Sequence, residues 1–220
     1  MESSAGTGSD TPRTPVPLLA TAYFPPLEYF HAIAVAGAAV IEQCENYLKQ
    51  SYRNRCRIYS PNGDGLLSVP VLRASLHKTP IREVEIDHSE PWIQRHERAF
   101  EAAYNSSPFF EYYRDDIFAI LERRHRYLFD LNLDLLRLLL DLSGIRADIT
   151  LTESYEAAPA GLLDLRGRIS PKNGGPNLMA EHKKEKTYFQ VFSAKSGFVP
   201  NLSIVDLLSA EGPDAISYLR

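Results

Sequence analysis

"LLATAYFPPLEYFHAIAVAGAAVIEQC", Leu18 to Cys44, is the stretch whose reading decides the fold. "LLATAY" is a short apolar run that "FPP" stops, and Pro26 suits the first turn of a helix, where the N–H it lacks would have no partner. The run predicts a strand, and Pro26 to about Ala36 a helix. Gly37 can close that helix in a left-handed conformation, after which "AAVIEQC" reads as a second buried strand. Strand, helix and strand this close together make a βαβ unit with parallel strands and a right-handed crossover. In open α/β sheets ligands gather beyond the carboxyl ends of the strands, here Tyr23 to Pro25 and Gln43 to Gln50.

Further along, "RCRIYSPNGDGLLSVPVL" predicts a hairpin: a strand to about Tyr59, a turn on "PNGDG", and a strand from Leu66 to Leu72. Residues 73 to 83 read as loop. "EVEID" alternates and predicts a half-exposed strand. Trp92 to Tyr104 is helical, "NSSP" breaks it, and Phe109 to Ser143 supplies one long or two shorter helices that Gly144 caps. "ADITLT" and "TYFQVF" read as strands, residues 153 to 186 as largely irregular, and "SIVDLLSAEG" as a helix that Ser203 caps. This order makes the fold α/β or α+β, a mixed sheet with helices in a single domain over residues 18 to 220. Residues 1 to 17, rich in Ser, Thr, Gly and Pro, read as a disordered tail.

The 220 residues carry 24 Lys and Arg against 28 Asp and Glu, a net charge of -4. A general nucleic-acid binder would normally show a basic balance, so nucleic acid is an unlikely partner. The N-terminus has neither a basic nor an apolar signal region, and the longest apolar run, Ala32 to Ile41, is about half of the ~20 residues a spanning helix needs. The expected location is the cytoplasm, with no membrane span. Cys44 and Cys56 are the only cysteines, and without a ligand pattern at zinc spacing no metal site is expected.

Against this acidic background "ENYLKQSYRNRCRIYS", Glu45 to Ser60, places Lys49, Arg53, Arg55 and Arg57 within nine residues. If the segment is extended, the three arginines share one face, where they repel unless an anion or carboxylates balance them. Guanidinium forks bind phosphate or carboxylate in a bidentate manner, and Asn46 and Asn54 add neutral donors. The other reading is a solvated face paired to Glu83, Glu85 or Asp87. Cys56 among arginines could be an activated thiolate, although a cysteine on the apolar side of a strand is more often a small buried hydrophobe. Tyr23, Phe24, Tyr52 and Tyr59 interleave with these cations as base-stacking platforms would, which opens a third reading as an RNA-binding protein. No standard catalytic motif is present.

The segments "YFPPLEYFHAI", "NYLKQSYRNRCRI", "LLSVPV", "WIQRHERAFEAAYNSSPFF", "YFQVF" and "NLSIVDLLSAEGP" resemble, in content and order, the WbqC-like family of bacterial proteins. The matching positions are Tyr23, Pro25, Tyr29, Asn54, Arg55, Trp92, His96, Tyr188, Gln190, Ser203 and Asp206. Where many members open with a His-Gln-Pro-like sequence, this chain has "LLATAYFPP". The resemblance implies a place in surface-polysaccharide synthesis, as a transferase moving an acyl or aminoacyl group onto an activated, nucleotide-linked sugar. A nucleotide- or sugar-binding module without catalysis is the alternative. The resemblance names no cofactor and no catalytic residue. The ligand-binding residues expected are Tyr23, Asn46, Lys49, Arg53, Asn54, Arg55 and Gln190, facing an anionic small molecule.

Overall fold

The computed structural model describes residues 14–61, 63–72 and 78–220. The opening stretch folds as the sequence predicts: strand β1 (Val16–Ala20), helix α1 (Leu27–Ala36) and strand β2 (Ala38–Glu42). β1 and β2 are parallel, with Leu18 opposite Val40 and Leu19 opposite Ile41. Gly37 ends α1 at φ +67, a left-handed turn that a side chain would strain. β1 begins two residues inside the stretch expected to be tail, because Val16 and Pro17 pair with Leu162 and Leu163. The rest of the expected tail, up to residue 13, lies outside the described residues.

Two further parallel strands complete the sheet. β5 (Asp148–Leu151) adds to β2, and β6 (Leu162–Asp164) adds to β1, giving the order β5-β2-β1-β6. The sequence gives no sign of β6, since three residues of "LLD" are too few to show a period. β3 (Arg55–Ser60) and β4 (Gly63–Ser68) form a separate antiparallel hairpin. Asn62 of its expected turn and residues 73–77 of the expected loop lie outside the described residues. The hairpin closes sooner than "LLSVPVL" suggests, with Val71 left as an isolated bridge to Ile86.

Helix α2 (Trp92–Tyr104) packs against β3, and α3 (Phe110–Glu122) and α4 (Leu128–Leu142) pack on each other. "RRHRY" separates α3 from α4, so the long apolar segment is two helices. The rest of the chain carries α5 (Leu178–Glu181), α6 (Ser193–Ser196), α7 (Ile204–Glu211) and α8 (Ala215–Leu219). α7 runs beside β3, α3 and α1. Ser203 caps α7, its Oγ accepting from the Val205 N–H at 3.4 Å.

Two predicted strands are absent. In "EVEID", Val84 and Ile86 are buried, but the backbone makes only isolated bridges, Glu85 to Tyr127 and Ile86 to Val71. In "TYFQVF", Tyr188 and Gln190 are buried and Phe189 is 56% exposed. The period of two is present without a ladder, because the segment is anchored by side chains: Tyr188 Oη and Gln190 Nε2 both donate to Asp206, at 2.6 and 2.8 Å. Alternation in sequence reports burial, and only secondarily a strand.

Candidate functional site

The carboxyl edge of the parallel sheet is where a ligand would be sought first, but the cleft of about 290 Å³ beyond β2 and β5 is walled by Glu42, Glu153 and Glu156 with no cation among its described residues, so it does not suit an anion. Glu42, at the end of β2, is fully buried and bonds Arg166, Thr152 Oγ1 and the Cys44 N–H at 2.7 Å each. Arg166 also forks onto Asp164 at the end of β6. The gap between the ends of β1 and β6 has a volume of about 10 Å³, too small for a ligand. Nor does α1 offer free N–H groups. Leu27 donates to the Leu202 carbonyl at 3.0 Å and Glu28 to Asn201 Oδ1 at 2.9 Å, so these first-turn donors are already taken within the chain.

The basic segment divides into three environments. Arg53 lies before β3, is 5% exposed, and forks onto Glu45, with Nε–Oε1 2.8 Å and Nη2–Oε2 2.5 Å. Its guanidinium is buried and committed to Glu45, away from the face the sequence predicts it to share with Arg55 and Arg57. Burial pushes the Glu45 carboxyl up, while the Arg53 guanidinium pulls it back. Removing one member of a buried pair strands the other charge. We expect Arg53→Ala to lower the unfolding free energy in urea by about 3–5 kcal/mol; an unchanged midpoint would contradict this role. Arg57 pairs with Asp64 across the hairpin at 2.8 Å. The acids that hold these two arginines are therefore Glu45 and Asp64, where the sequence suggests Glu83, Glu85 or Asp87.

Arg55 is different. Five other described arginines are buried or only partly exposed: Arg53, Arg57, Arg114, Arg166 and Arg168. Each has a carboxylate partner. Arg55 has none among the described residues, and its buried Nε has no hydrogen-bond acceptor. It opens onto a cleft of about 740 Å³ whose walls are Tyr47, Leu48, Lys49, Gln50, Asn54, Val71 and Lys172. Lys49 and Lys172 are exposed and also lack an ion pair among the described residues. Three uncompensated cations thus converge on one concave surface of an acidic protein.

Hydrogen bonds tie down the frame around the cleft. Tyr47 N–H donates to the Thr79 carbonyl at 2.9 Å, and Ile81 N–H to that of Glu45 at 2.9 Å. At the other end the Arg53 carbonyl accepts from Asn132 Nδ2 at 2.7 Å. Asn54, 7% exposed, receives the Val69 N–H at its carbonyl and donates Nδ2 to the Val69 carbonyl, both at 2.8 Å. Its Oδ1 has no partner.

Of the residues expected to bind, the cleft brings together Lys49, Asn54 and Arg55. Asn46 is exposed nearby but is not on its wall. Tyr23 is fully buried, its hydroxyl 2.8 Å from His96 Nδ1, and Gln190 is 2% exposed in the Asp206 network. Both belong to the core. Cys56 is fully buried, which pushes its thiol far above the ordinary range and leaves it inert. Tyr23, Phe24, Tyr52 and Tyr59 are at most 5% exposed, so they cannot stack on bases, and the RNA reading loses its platforms. Sequence reasoning misses Lys172. It lies in "PKNGGPN", a turn with no periodic signal, far along the chain from Arg55.

The WbqC-like protein family model matches residues 21–179. The chain belongs to the WbqC-like family. It is also 29% identical over 225 residues to the uncharacterized protein Rv1507c of Mycobacterium tuberculosis (strain ATCC 25618 / H37Rv), covering 93% of this chain and 97% of that one. No solved structure matches. The part of this WbqC-like protein matched by the family model holds every described residue lining the cleft, whereas the Tyr188–Gln190–Asp206 network lies beyond it. No helix among the described residues is long and apolar enough to cross a membrane, and no group of histidine, cysteine or carboxylate side chains there could hold a metal ion.

Proposed function

We propose that this WbqC-like protein binds an anionic small molecule, bearing a phosphate or carboxylate, in the cleft at Arg55. The observation that carries the reading is the unmatched Arg55 guanidinium, since every comparably withdrawn arginine among the described residues is neutralised within the chain. Arg55 is only partly withdrawn from solvent, so its fork stays within reach of a ligand anion. Lys49 and Lys172 add charge that attracts the ligand, and the Arg55 fork fixes its orientation.

A nucleotide-linked sugar fits this chemistry, because its phosphates supply the negative charge. Transfer of an acyl or aminoacyl group onto such a sugar is the activity that the family resemblance adds. The described residues lining the cleft include no carboxylate, histidine or thiol, so Tyr47, Lys49 and Lys172 are the side chains there that could carry a proton in a transfer reaction. A binding module without catalysis rests on the same cleft and the same anion.

A thermal-melt screen against nucleotide sugars, sugar phosphates and uronic acids tests the reading. A true ligand at about 100 times its dissociation constant stabilises the fold by ~2.7 kcal/mol. Arg55→Lys keeps the charge and loses the fork, and we expect it to weaken binding by about 1–3 kcal/mol with the melting temperature of the free protein unchanged. Equal binding by the native protein and the Arg55→Lys variant would return the basic segment to a solvated surface.

A further inference from the structure

Beside the Arg55 cleft lies a second, narrower one of about 170 Å³, walled by the hairpin, the start of α1 and the segment 168–177. The two are neighbours on both sides. Arg55 and Arg57 lie two residues apart on the same face of β3 and open into one cleft each. Pro171 and Lys172, consecutive in the chain, do the same from the opposite wall.

Their electrostatics differ. In the second cleft Arg57 is neutralised by Asp64 and Arg168 by Glu181, and the buried Glu28 carboxylate lies on the wall. That cleft has no net positive charge to offer a second anion. It has instead fixed polar groups. Asn201 is locked onto Glu28 twice, by the Glu28 N–H at 2.9 Å and the carboxylate at 2.7 Å. Asn177 caps α5 and donates to Glu185, and Asn173 bridges the Arg168 carbonyl and the Gly175 N–H. Amides and a carboxylate pinned by their own hydrogen bonds keep their remaining lone pairs and protons in set directions, which suits recognition of hydroxyl groups.

We infer that the two clefts are compartments of one site, in which Arg55 takes the anion and the Glu28–Asn201 cleft takes a neutral, polyhydroxylated portion of the same molecule. This rests on the anion reading above and narrows the ligand to a phosphorylated or carboxylated sugar whose ring enters the second compartment. Ser170 stands on the wall of that compartment and not on the wall of the Arg55 cleft, to which it is tied only by a long 3.4 Å bond that its Oγ accepts from the Lys172 N–H, so Ser170→Phe fills the one and leaves Arg55 and Lys49 of the other in place.

Calorimetric titration of the full chain with inorganic phosphate, a panel of hexose 1-phosphates and the free hexoses separates the possibilities. At least one hexose 1-phosphate should bind about tenfold or more tightly than phosphate, ~1.4 kcal/mol. Ser170→Phe should bring that affinity down to the phosphate level while phosphate binding changes by less than about twofold. Arg55→Lys should weaken both. Hexose phosphates and phosphate binding alike in the native protein would overturn the inference without needing any variant to fold, and so would a Ser170→Phe protein that weakens both ligands equally. If neither ligand binds in an Arg55-dependent way, the anion reading itself fails, and this inference fails with it.

Discussion

Arg166→Ala should lower the unfolding free energy by about 3–5 kcal/mol, a large part of what holds a domain of this size together. Glu42 is 0% exposed and Arg166 is 7% exposed at its side chain. Taking the guanidinium away leaves the carboxylate buried with only the Thr152 hydroxyl and the Cys44 N–H to hold it. It also frees the end of β6, because Arg166 donates to Asp164 through both Nε and Nη2 and to the Glu156 carbonyl at 2.8 Å. Asp164→Asn is the matching control. Its side chain is 36% exposed, and a partner so open to water contributes roughly 1 kcal/mol or less. Equilibrium urea unfolding of the two variants checks the contrast, and a loss near 1 kcal/mol for Arg166→Ala would contradict it.

The same residues explain what can be read in advance. The βαβ opening is legible because Pro26 and Gly37 punctuate it chemically, and α2 because its apolar face repeats at the helical period. Glu42 and Arg166 lie 124 residues apart, and no local pattern announces that they meet. The cationic segment is legible as charge and not as geometry. Period-two reasoning puts Arg53 on the face of Arg55, but the strand starts only at Arg55, so Arg53 turns inward to Glu45. Tyr23 and Gln190, expected as ligand contacts in part from the family resemblance, hold the core together through His96 and Asp206. A resemblance marks positions that matter without saying whether folding or binding is the reason.

The second large effect concerns acid. His96 is 4% exposed, its Nδ1 facing the Tyr23 hydroxyl, and burial lowers its pKa from 6.5 to about 4 despite a hydrogen bond to the Ser68 backbone. As pH falls through 6.5 the unfolded chain binds a proton that the folded chain refuses, so stability is lost down to about pH 4, by ~3 kcal/mol in all. His31 acts in the same direction. It is buried between the Leu219 carbonyl and His182 Nδ1, at 2.8 and 2.7 Å, and burial lowers its pKa also.

Asp206 acts in the opposite direction. Burial raises its carboxyl from 3.8 to about 6, against the hydrogen bonds of Tyr188, Gln190 and Tyr104. Between those values the folded state binds a proton that the unfolded state does not, so falling pH adds ~3 kcal/mol. The native protein should therefore lose only a modest amount between pH 6.5 and 4 from these groups. Asp206→Asn removes the compensation, and its stability should fall by ~3 kcal/mol more over that interval. Parallel slopes of stability against pH for the two proteins would refute this balance.

Arg55, alone among the buried and partly exposed arginines described, has no carboxylate partner there, and we propose that an anion from outside the chain supplies one. Nitrogen-resolved NMR of the arginine side chains, followed while a hexose 1-phosphate is titrated, tests it at the guanidinium itself. The Arg55 guanidinium Nη resonances should shift and exchange more slowly, while those of Arg53 and Arg166, already bonded to Glu45 and to Glu42 and Asp164, stay in place. An Arg55 resonance that does not move at ligand concentrations that raise the melting temperature would show that the ligand binds elsewhere, and the account would be wrong.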